Sequence, residues 1–243
     1  MVLFASAVYG QASVQPKALN DVGVVEHLGQ KVPMDLTFTN ETGKPVKFGD
    51  YLNQKKPVVL ILAYFNCPML CNLVLTGVDN GAKGLPFKSG ERYDVVAVSI
   101  DPKDTASSAA AFKEKYPNLR GHFLVGDQPS IDALAKSVGF QYKYDEKSKE
   151  YFHRAVTFVL TPDGRISRYL YGIEYPAFDL KMAILEANQG KLVSTVERVL
   201  LFCYNYDPQS QKYVLYAMNL MRAGGFITLI AIGVLIWRLK VAK

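Results

Sequence analysis

Residues 57–71 read PVVLILAYFNCPMLC, an apolar run that ends at two cysteines four positions apart. The stretch Pro57–Tyr64 carries no charge, which is typical of a strand buried on both faces of a sheet. A helical pattern follows Cys67 and continues to about Gly81, and Pro68 suits its first turn because the N–H that proline lacks would be unpaired there. This strand, turn and helix predict the first unit of an α/β domain.

The same alternation continues along the chain. Further strands are predicted at Tyr93–Ile100, Ala155–Leu160 and Arg165–Tyr171. Further helices are predicted at Asp104–Tyr116, Pro129–Val138 and Pro176–Asn188. Alternating strands and helices indicate a parallel sheet, and a turn signal joins the last two strands as an antiparallel hairpin. The predicted class is therefore α/β, with a thioredoxin-like central mixed sheet flanked by helices over residues 32–190.

The composition excludes some functions. The chain has 243 residues, of which 49% are hydrophobic, so it can form one ordinary domain with a real core. Its net charge of +6 is modest, and part of it flanks a single apolar stretch near the C-terminus. No cluster of lysines and arginines lies along a predicted helix or loop, so we predict no nucleic-acid binding.

The two ends of the chain predict an exported, membrane-tethered protein. Residues 1–12 resemble the remnant of a secretory signal peptide, since an apolar run precedes small residues. Residues 217–238 predict a C-terminal transmembrane helix, with the uncharged segment Ala223–Trp237 at its centre. Basic residues after it predict a cytoplasmic C-terminus, which leaves the main domain extracytoplasmic, in the periplasm. Residues 191–216 then form a juxtamembrane connector in this single-pass cell-membrane protein.

The cysteine pair is the first candidate site. Cys67 and Cys71 lie one turn apart at a predicted helix N-terminus, where unpaired N–H groups are expected to lower the pKa of a thiol. Their Cα atoms are then about 6 Å apart, within the range of a disulfide. Three interpretations stay open: a structural pair, a redox dithiol, or a soft-metal site that selects Cu(I) or Zn(II). Cys203, the third cysteine, is predicted to be either a structural thiol or an intermolecular one.

A histidine is the candidate third ligand. Of the three histidines, His27 and His122 lie in surroundings that predict structural or solvated roles. His153 directly precedes the predicted strand Ala155–Leu160. In a thioredoxin-like sheet the loop leading into this strand faces the N-terminus of the cysteine helix, so an imidazole there would complete a trigonal site of two sulfurs and one nitrogen. The alternative is a solvated loop histidine.

Several ordered motifs resemble those of the Sco/SenC family. The segment Cys67–Cys71 matches the family's Cys-x-x-x-Cys, and Ser99–Thr105 resembles its Ser-x-Asp-Pro-x-x-Asp-Thr stretch with one residue fewer between Pro102 and Asp104. Phe152–Arg154 and then Pro162–Gly164 match its histidine and hairpin. The resemblance extends from about Val32 to Asn188. It implies a thioredoxin-like fold and a Cu(I) or Cu(II) site formed by two cysteines and one histidine.

The resemblance implies a function in cytochrome c oxidase assembly. The expected role is that of a metallochaperone for the CuA centre, with Cys67, Cys71 and His153 as metal ligands. The alternative is a thiol–disulfide oxidoreductase that keeps the cysteines of oxidase subunit II reduced. The expected partners are subunit II or another copper-receiving membrane protein, with a periplasmic copper donor or a thiol reductase. Asp101 corresponds to an acidic family residue near the site, although its motif also suits a turn and helix cap.

Two observations bear on the alternatives. Many family members carry an N-terminal anchor, whereas the predicted anchor here is C-terminal, which leaves the recipient oxidase open. A thioredoxin-fold peroxidase would need Thr-x-x-Cys, and Tyr64 stands in the threonine's position. We therefore expect a metallochaperone rather than an enzyme, with an oxidoreductase as the enzymatic alternative.

Overall fold

The computed structural model describes residues 22–52, 56–67 and 70–190, and then 204–207, 212–215, 224–230, 232–234 and 237–238. The chain divides into two compact units, Met1–Leu192 and Val193–Lys243. The first unit contains the central sheet, both cysteines of the candidate site and His153. It includes residues ahead of the predicted boundary at 32, beginning with a short strand at Gly23–Val24.

The first unit is built on strands of two to six residues. They are β1 (Gly23–Val24), β2 (Thr37–Asn40), β3 (Pro45–Lys47), β4 (Val58–Ala63), β5 (Asp94–Ser99), β6 (His122–Val125), β7 (Phe140–Gln141), β8 (Lys143–Asp145), β9 (Glu150–Phe152), β10 (Val156–Leu160) and β11 (Ile166–Tyr171). Seven of them form one sheet in the order β11-β10-β4-β5-β6-β2-β3. Strands β4, β5 and β6 are parallel, and the remaining neighbours pair antiparallel.

Four α-helices complete the described part of this unit. They are α1 (Leu70–Lys83), α2 (Ala106–Glu114), α3 (Gln128–Ser137) and α4 (Ala177–Asn188). The prediction of a central mixed sheet flanked by helices is confirmed. The predicted hairpin is also confirmed, with Thr157 opposite Leu170 in its register. Every residue of β4, β5 and β10 is buried, which explains why their sequences show continuous apolar runs rather than alternation.

The short strands β2 and β3 extend the sheet at an edge that the sequence did not predict. They read TFTN and PVK, and each contains a single strongly apolar residue. Such strands carry too little period-2 alternation to be distinguished from loops. Strand β2 joins the sheet through β6, with Thr39 opposite Val125.

Helix α1 lies very close to the loop that precedes α4. A Cβ on Gly77 would lie 2.1 Å from the carbonyl oxygen of Ile173, and one on Gly81 would lie 2.4 Å from that of Tyr175. Two glycines one turn apart thus let a backbone segment pack directly on the helix. This contact fixes the position of the helix that contains Cys71.

Strands β8 and β9 form a separate two-stranded sheet. Their register places Tyr144 opposite Tyr151, and β9 ends at Phe152. The chain then passes through residues 153–155 into the buried strand β10. His153 therefore lies between a peripheral hairpin and the central sheet.

The second unit is described in part. Strands β12 (Tyr204–Asp207) and β13 (Lys212–Leu215) pair antiparallel within the predicted connector 191–216, and residues 224–230, 232–234 and 237–238 are helical. Among the described residues no helix is long and apolar enough to cross a membrane. The predicted span 217–238 falls partly outside these residues and stays a prediction. The predicted signal remnant 1–12 and Cys203 fall outside them altogether.

Candidate metal centre

Two cysteine thiols meet at the junction of β4 and α1. Cys67 is 7% exposed and Cys71 is fully buried. The Cys71 N–H donates to the Cys67 sulfur at 3.3 Å, and the Tyr64 N–H donates to the Cys71 sulfur at 3.4 Å. Backbone donors therefore face both sulfurs, which stabilises negative charge on either one. Pro68, expected in the first helical turn, lies outside the described residues.

The imidazole of His153 reaches this pair. Its Nε2 lies 3.4 Å from the Cys71 sulfur, although the two residues are 82 positions apart in sequence. Its Nδ1 lies 3.0 Å from the carbonyl oxygen of Arg154. Because a carbonyl oxygen only accepts hydrogen bonds, this contact places the ring proton on Nδ1. The lone pair of Nε2 then points toward sulfur, as a metal ligand's would.

The pKa shifts correct one expectation and explain the protonation of the site. The hydrogen bond with Cys67, together with burial, raises the pKa of the Cys71 thiol well above its usual range. The expected lowering is therefore wrong for Cys71, because burial and a neighbouring sulfur outweigh the helix N-terminus. Burial lowers the pKa of His153, so its imidazole is neutral at neutral pH. A soft cation would displace a thiol proton on binding.

The donor set suits a soft or borderline metal. Two sulfurs and one imidazole nitrogen favour copper or zinc over hard cations such as magnesium. Within the described part of the chain, no three His, Cys, Asp or Glu side chains are already placed as a closed metal site. Binding would therefore need a local adjustment, and the partly exposed His153 is the ligand with room to make it.

Asp101 lies in a turn beside the hairpin. Its carboxylate accepts from the Lys103 N–H at 2.9 Å, which is the turn chemistry expected of a Ser-x-Asp-Pro segment. It also accepts from the Tyr151 hydroxyl at 3.3 Å. Asp101 thus links the Ser99–Thr105 segment to the β8–β9 hairpin, which directly precedes His153.

Two residues at the site were not predicted from the sequence. Tyr64 hydrogen-bonds to Cys67, and burial together with this bond raises the pKa of its phenol. Asp104 contacts the turn before Cys67 through the Phe65 N–H and the Asn66 side chain. Helix α2 is capped by Thr105, whose side chain accepts from the Ser108 N–H. Asp104 could have been identified from the sequence by its position, because it is a carboxylate that follows shortly after a buried strand.

The other two histidines make structural contacts. The His27 N–H donates to the Tyr169 hydroxyl at 2.7 Å, and its ring Nδ1 lies 3.0 Å from the Ser137 carbonyl oxygen. The His122 ring packs on Tyr51 with centroids 4.6 Å apart. Both positions agree with the structural roles expected for them.

The SCO1/SenC family model matches residues 26–184, which include both cysteines and His153. The chain belongs to the SCO1/SenC family. The comparison with curated proteins gives no match.

Solved structures of Sco proteins share the fold. Arabidopsis thaliana ScoI with copper bound is 19% identical, with a TM-score of 0.55 over 67% of this chain and 99% of that one. Bradyrhizobium japonicum ScoI with copper bound is 19% identical, with a TM-score of 0.52 over 67% and 98%. BsSco, described as a cytochrome c oxidase assembly protein with a disulfide switch, is 21% identical, with a TM-score of 0.56 over 69% and 99%. At these identities the likeness supports the fold alone.

Proposed function

We propose that this SCO1/SenC protein is a membrane-anchored metallochaperone that binds copper through Cys67, Cys71 and His153 and assists assembly of the CuA centre of cytochrome c oxidase. The observation that carries the proposal is the 3.4 Å approach of His153 Nε2 to the Cys71 sulfur, with Nδ1 committed to a carbonyl oxygen. The copper bound to two ScoI relatives supports the choice of metal.

The oxidation state of the two thiols determines whether the site can bind copper. In the reduced state both sulfurs are available, and deprotonation makes them soft ligands for Cu(I) or Cu(II). Exchange with a partner disulfide would join them in a disulfide, reduce that partner to two thiols, and remove both sulfur ligands. Copper binding and dithiol oxidation are thus alternative states of one pair. Copper would leave the site by ligand exchange with thiolates of the receiving protein.

A second candidate function is thiol–disulfide exchange with partner cysteines. The observation that favours it is that the two thiols hydrogen-bond to each other, so little movement separates them from a disulfide. A disulfide switch described for BsSco is consistent with this chemistry in the family. The substrate would be the cysteines of oxidase subunit II, with a periplasmic thiol reductase as electron donor.

The proposed location is the cell membrane. The anchor is residues 217–238, the domain with the copper site is periplasmic, and the C-terminus is cytoplasmic. Large apolar side chains in the described part of this segment are exposed, among them Phe226 and Leu229. A lipid environment would cover such side chains. The recipient is oxidase subunit II or another copper-receiving membrane protein, with a periplasmic copper donor upstream.

The test is a copper titration of the reduced full-length chain in detergent micelles. Every variant carries Cys203→Ser, so that the third thiol binds no metal. Competition with a Cu(I) chelator gives the affinity. We expect Cys71→Ser to lower it by about a hundredfold or more and His153→Ala by about tenfold. His27→Ala is the matched control and should leave the affinity unchanged.

Two results separate the candidate functions. Unchanged copper affinity in His153→Ala would contradict the proposed site. Unchanged dithiol exchange with glutathione in the same variant, without measurable copper binding by the parent chain, would establish the oxidoreductase function instead.

A further inference from the structure

Asp104 is a buried carboxylate whose hydrogen-bonding partners are all donors. It is 6% exposed. Its Oδ2 accepts from the Ser99 hydroxyl at 2.6 Å and from the Phe65 N–H at 2.8 Å. Its Oδ1 accepts from the Asn66 amide at 2.8 Å and from the Ser108 hydroxyl at 3.2 Å. An ionised carboxylate is the side chain that accepts at both oxygens and donates at neither.

Two of these bonds hold the turn that leads to Cys67. The Phe65 N–H and the Asn66 side chain belong to the two residues directly before that cysteine. Asn66 is exposed, and its bond to Asp104 ties it to the segment that follows β5. The carboxylate thus joins the ends of two neighbouring parallel strands at the edge of the sheet where the cysteines lie.

The other end of the turn is held by a second side chain. The Asn72 amide donates to the Cys67 carbonyl oxygen at 3.0 Å. Asn72 is in turn held by the Tyr116 hydroxyl, which lies 3.2 Å from its side-chain oxygen. The backbone around Cys67 is therefore held from both sides, and on the N-terminal side Asp104 makes two side-chain contacts in addition to the hydrogen bond from the Cys67 N–H to the Tyr64 carbonyl oxygen at 3.2 Å.

A buried charge is costly unless it is well solvated by donors, so its presence here calls for a reason. The four partners of Asp104 are neutral, and two of them belong to the Cys67 turn. Charge-assisted hydrogen bonds are short and directional, so they restrain a turn more strongly than neutral ones do. The geometry thus connects the carboxylate to the placement of the Cys67 sulfur.

We propose that Asp104 is a positioning residue for Cys67, which holds the turn so that the two sulfurs stay in contact. It acts through the Phe65 and Asn66 contacts and touches neither copper nor substrate. The consequence for the metal site rests on the proposed function. The consequence for the dithiol does not, because it follows from the effective concentration of one thiol at the other.

The test measures the dithiol–glutathione equilibrium without copper. In this reaction two protein thiols and one glutathione disulfide give one protein disulfide and two glutathione thiols, so atoms and electrons balance. We expect Asp104→Ala to lower the equilibrium constant about tenfold, which raises the reduction potential by about 30 mV. All variants are full-length chains in detergent with Cys203→Ser.

Three further variants make the test specific. Ser108→Ala removes one bond to Asp104 outside the turn and should leave the equilibrium constant within about twofold of the parent. Asp104→Asn keeps an oxygen for the Phe65 N–H, and the Asn66 amide can rotate to pair with the new NH₂, but these bonds are no longer charge-assisted, so it should recover only part of the loss. Asn66→Ala changes an exposed residue and should shift the constant in the same direction by less.

The outcomes are distinct. An unchanged constant in folded Asp104→Ala overturns the proposal. If that variant does not fold, an unchanged constant in Asn66→Ala overturns it. A shifted constant in a protein that binds no copper would refute the proposed function and leave the positioning role standing.

Discussion

The sulfur side and the imidazole side of the site are built differently. The sulfurs lie at the junction of β4 and α1, and β4 is hydrogen-bonded on both edges to strands of the central sheet. His153 follows β9, which belongs to a separate two-stranded sheet. The cysteines are buried, whereas His153 is partly exposed. A rigid sulfur pair with a more adjustable third ligand would suit the proposed copper site, since that function requires copper to enter and leave.

The packing around each side shows the same contrast. On the sulfur side, Phe65 stacks on Phe112 with centroids 5.0 Å apart, and both are almost completely buried. On the imidazole side, Tyr144 and Tyr151 pack at 5.0 Å, but both rings are only partly buried. The Tyr64 ring, 5.3 Å from Tyr151, connects the two sides. We therefore expect changes on the sulfur side to lower the free energy of unfolding. Changes in the β8–β9 hairpin should affect the position of His153 more than the stability of the fold.

The largest effect should come from Gly77→Ala on the sulfur side. The new Cβ would lie 2.1 Å from the Ile173 carbonyl oxygen, a backbone atom that cannot rotate away. Helix α1 or the loop must shift, so we expect a loss of about 3 kcal/mol or more in the free energy of unfolding, measured by urea denaturation. Asn80→Ala, on the exposed face of the same helix, is the control. Equal stability of both variants would contradict the close packing.

A smaller effect on stability should come from the β8–β9 hairpin. Tyr151→Ala removes ring contacts with Tyr64, Tyr142 and Tyr144, yet the residue is partly exposed. We expect a loss of about 1 kcal/mol in the free energy of unfolding and an approximately tenfold lower copper affinity, because the His153 segment loses its support. Tyr151→Phe keeps the ring and should match the parent within about 0.5 kcal/mol. A stability loss as large as that of Gly77→Ala would remove the contrast between the two sides.

The smallest effect concerns His122 of the central sheet. Burial lowers its pKa in the folded state, so the unfolded chain binds the proton more readily. The stability that neutral His122 contributes is complete above its unfolded pKa of about 6.5 and is lost as the pH falls below that value. We expect the free energy of unfolding to fall by less than about 1 kcal/mol between pH 7 and pH 5 from this group. The measurement is urea denaturation across this pH range, in which His122→Gln should show a flatter profile; an unchanged slope would assign the dependence to other groups.

Much of the fold could be predicted from local patterns. The continuous apolar runs that became β4, β5 and β10 are buried on both faces, and α1 begins at Leu70, within the segment expected after Cys67. The spacing of apolar residues is a property of the local sequence, so it can be read without knowing which segments pack against one another. The short strands β2 and β3 were missed because their pairing, rather than their sequence, defines them.

The sequence by itself determined which atoms were available: two sulfurs one helical turn apart and an imidazole ahead of a buried strand. The tertiary structure decided how they meet, since it brings Nε2 of His153 to the Cys71 sulfur and sets Asp104 against the Cys67 turn. It also decided the direction of the Cys71 pKa shift. The physical reason is that burial and distances between remote segments depend on packing of the whole domain, which no local pattern contains.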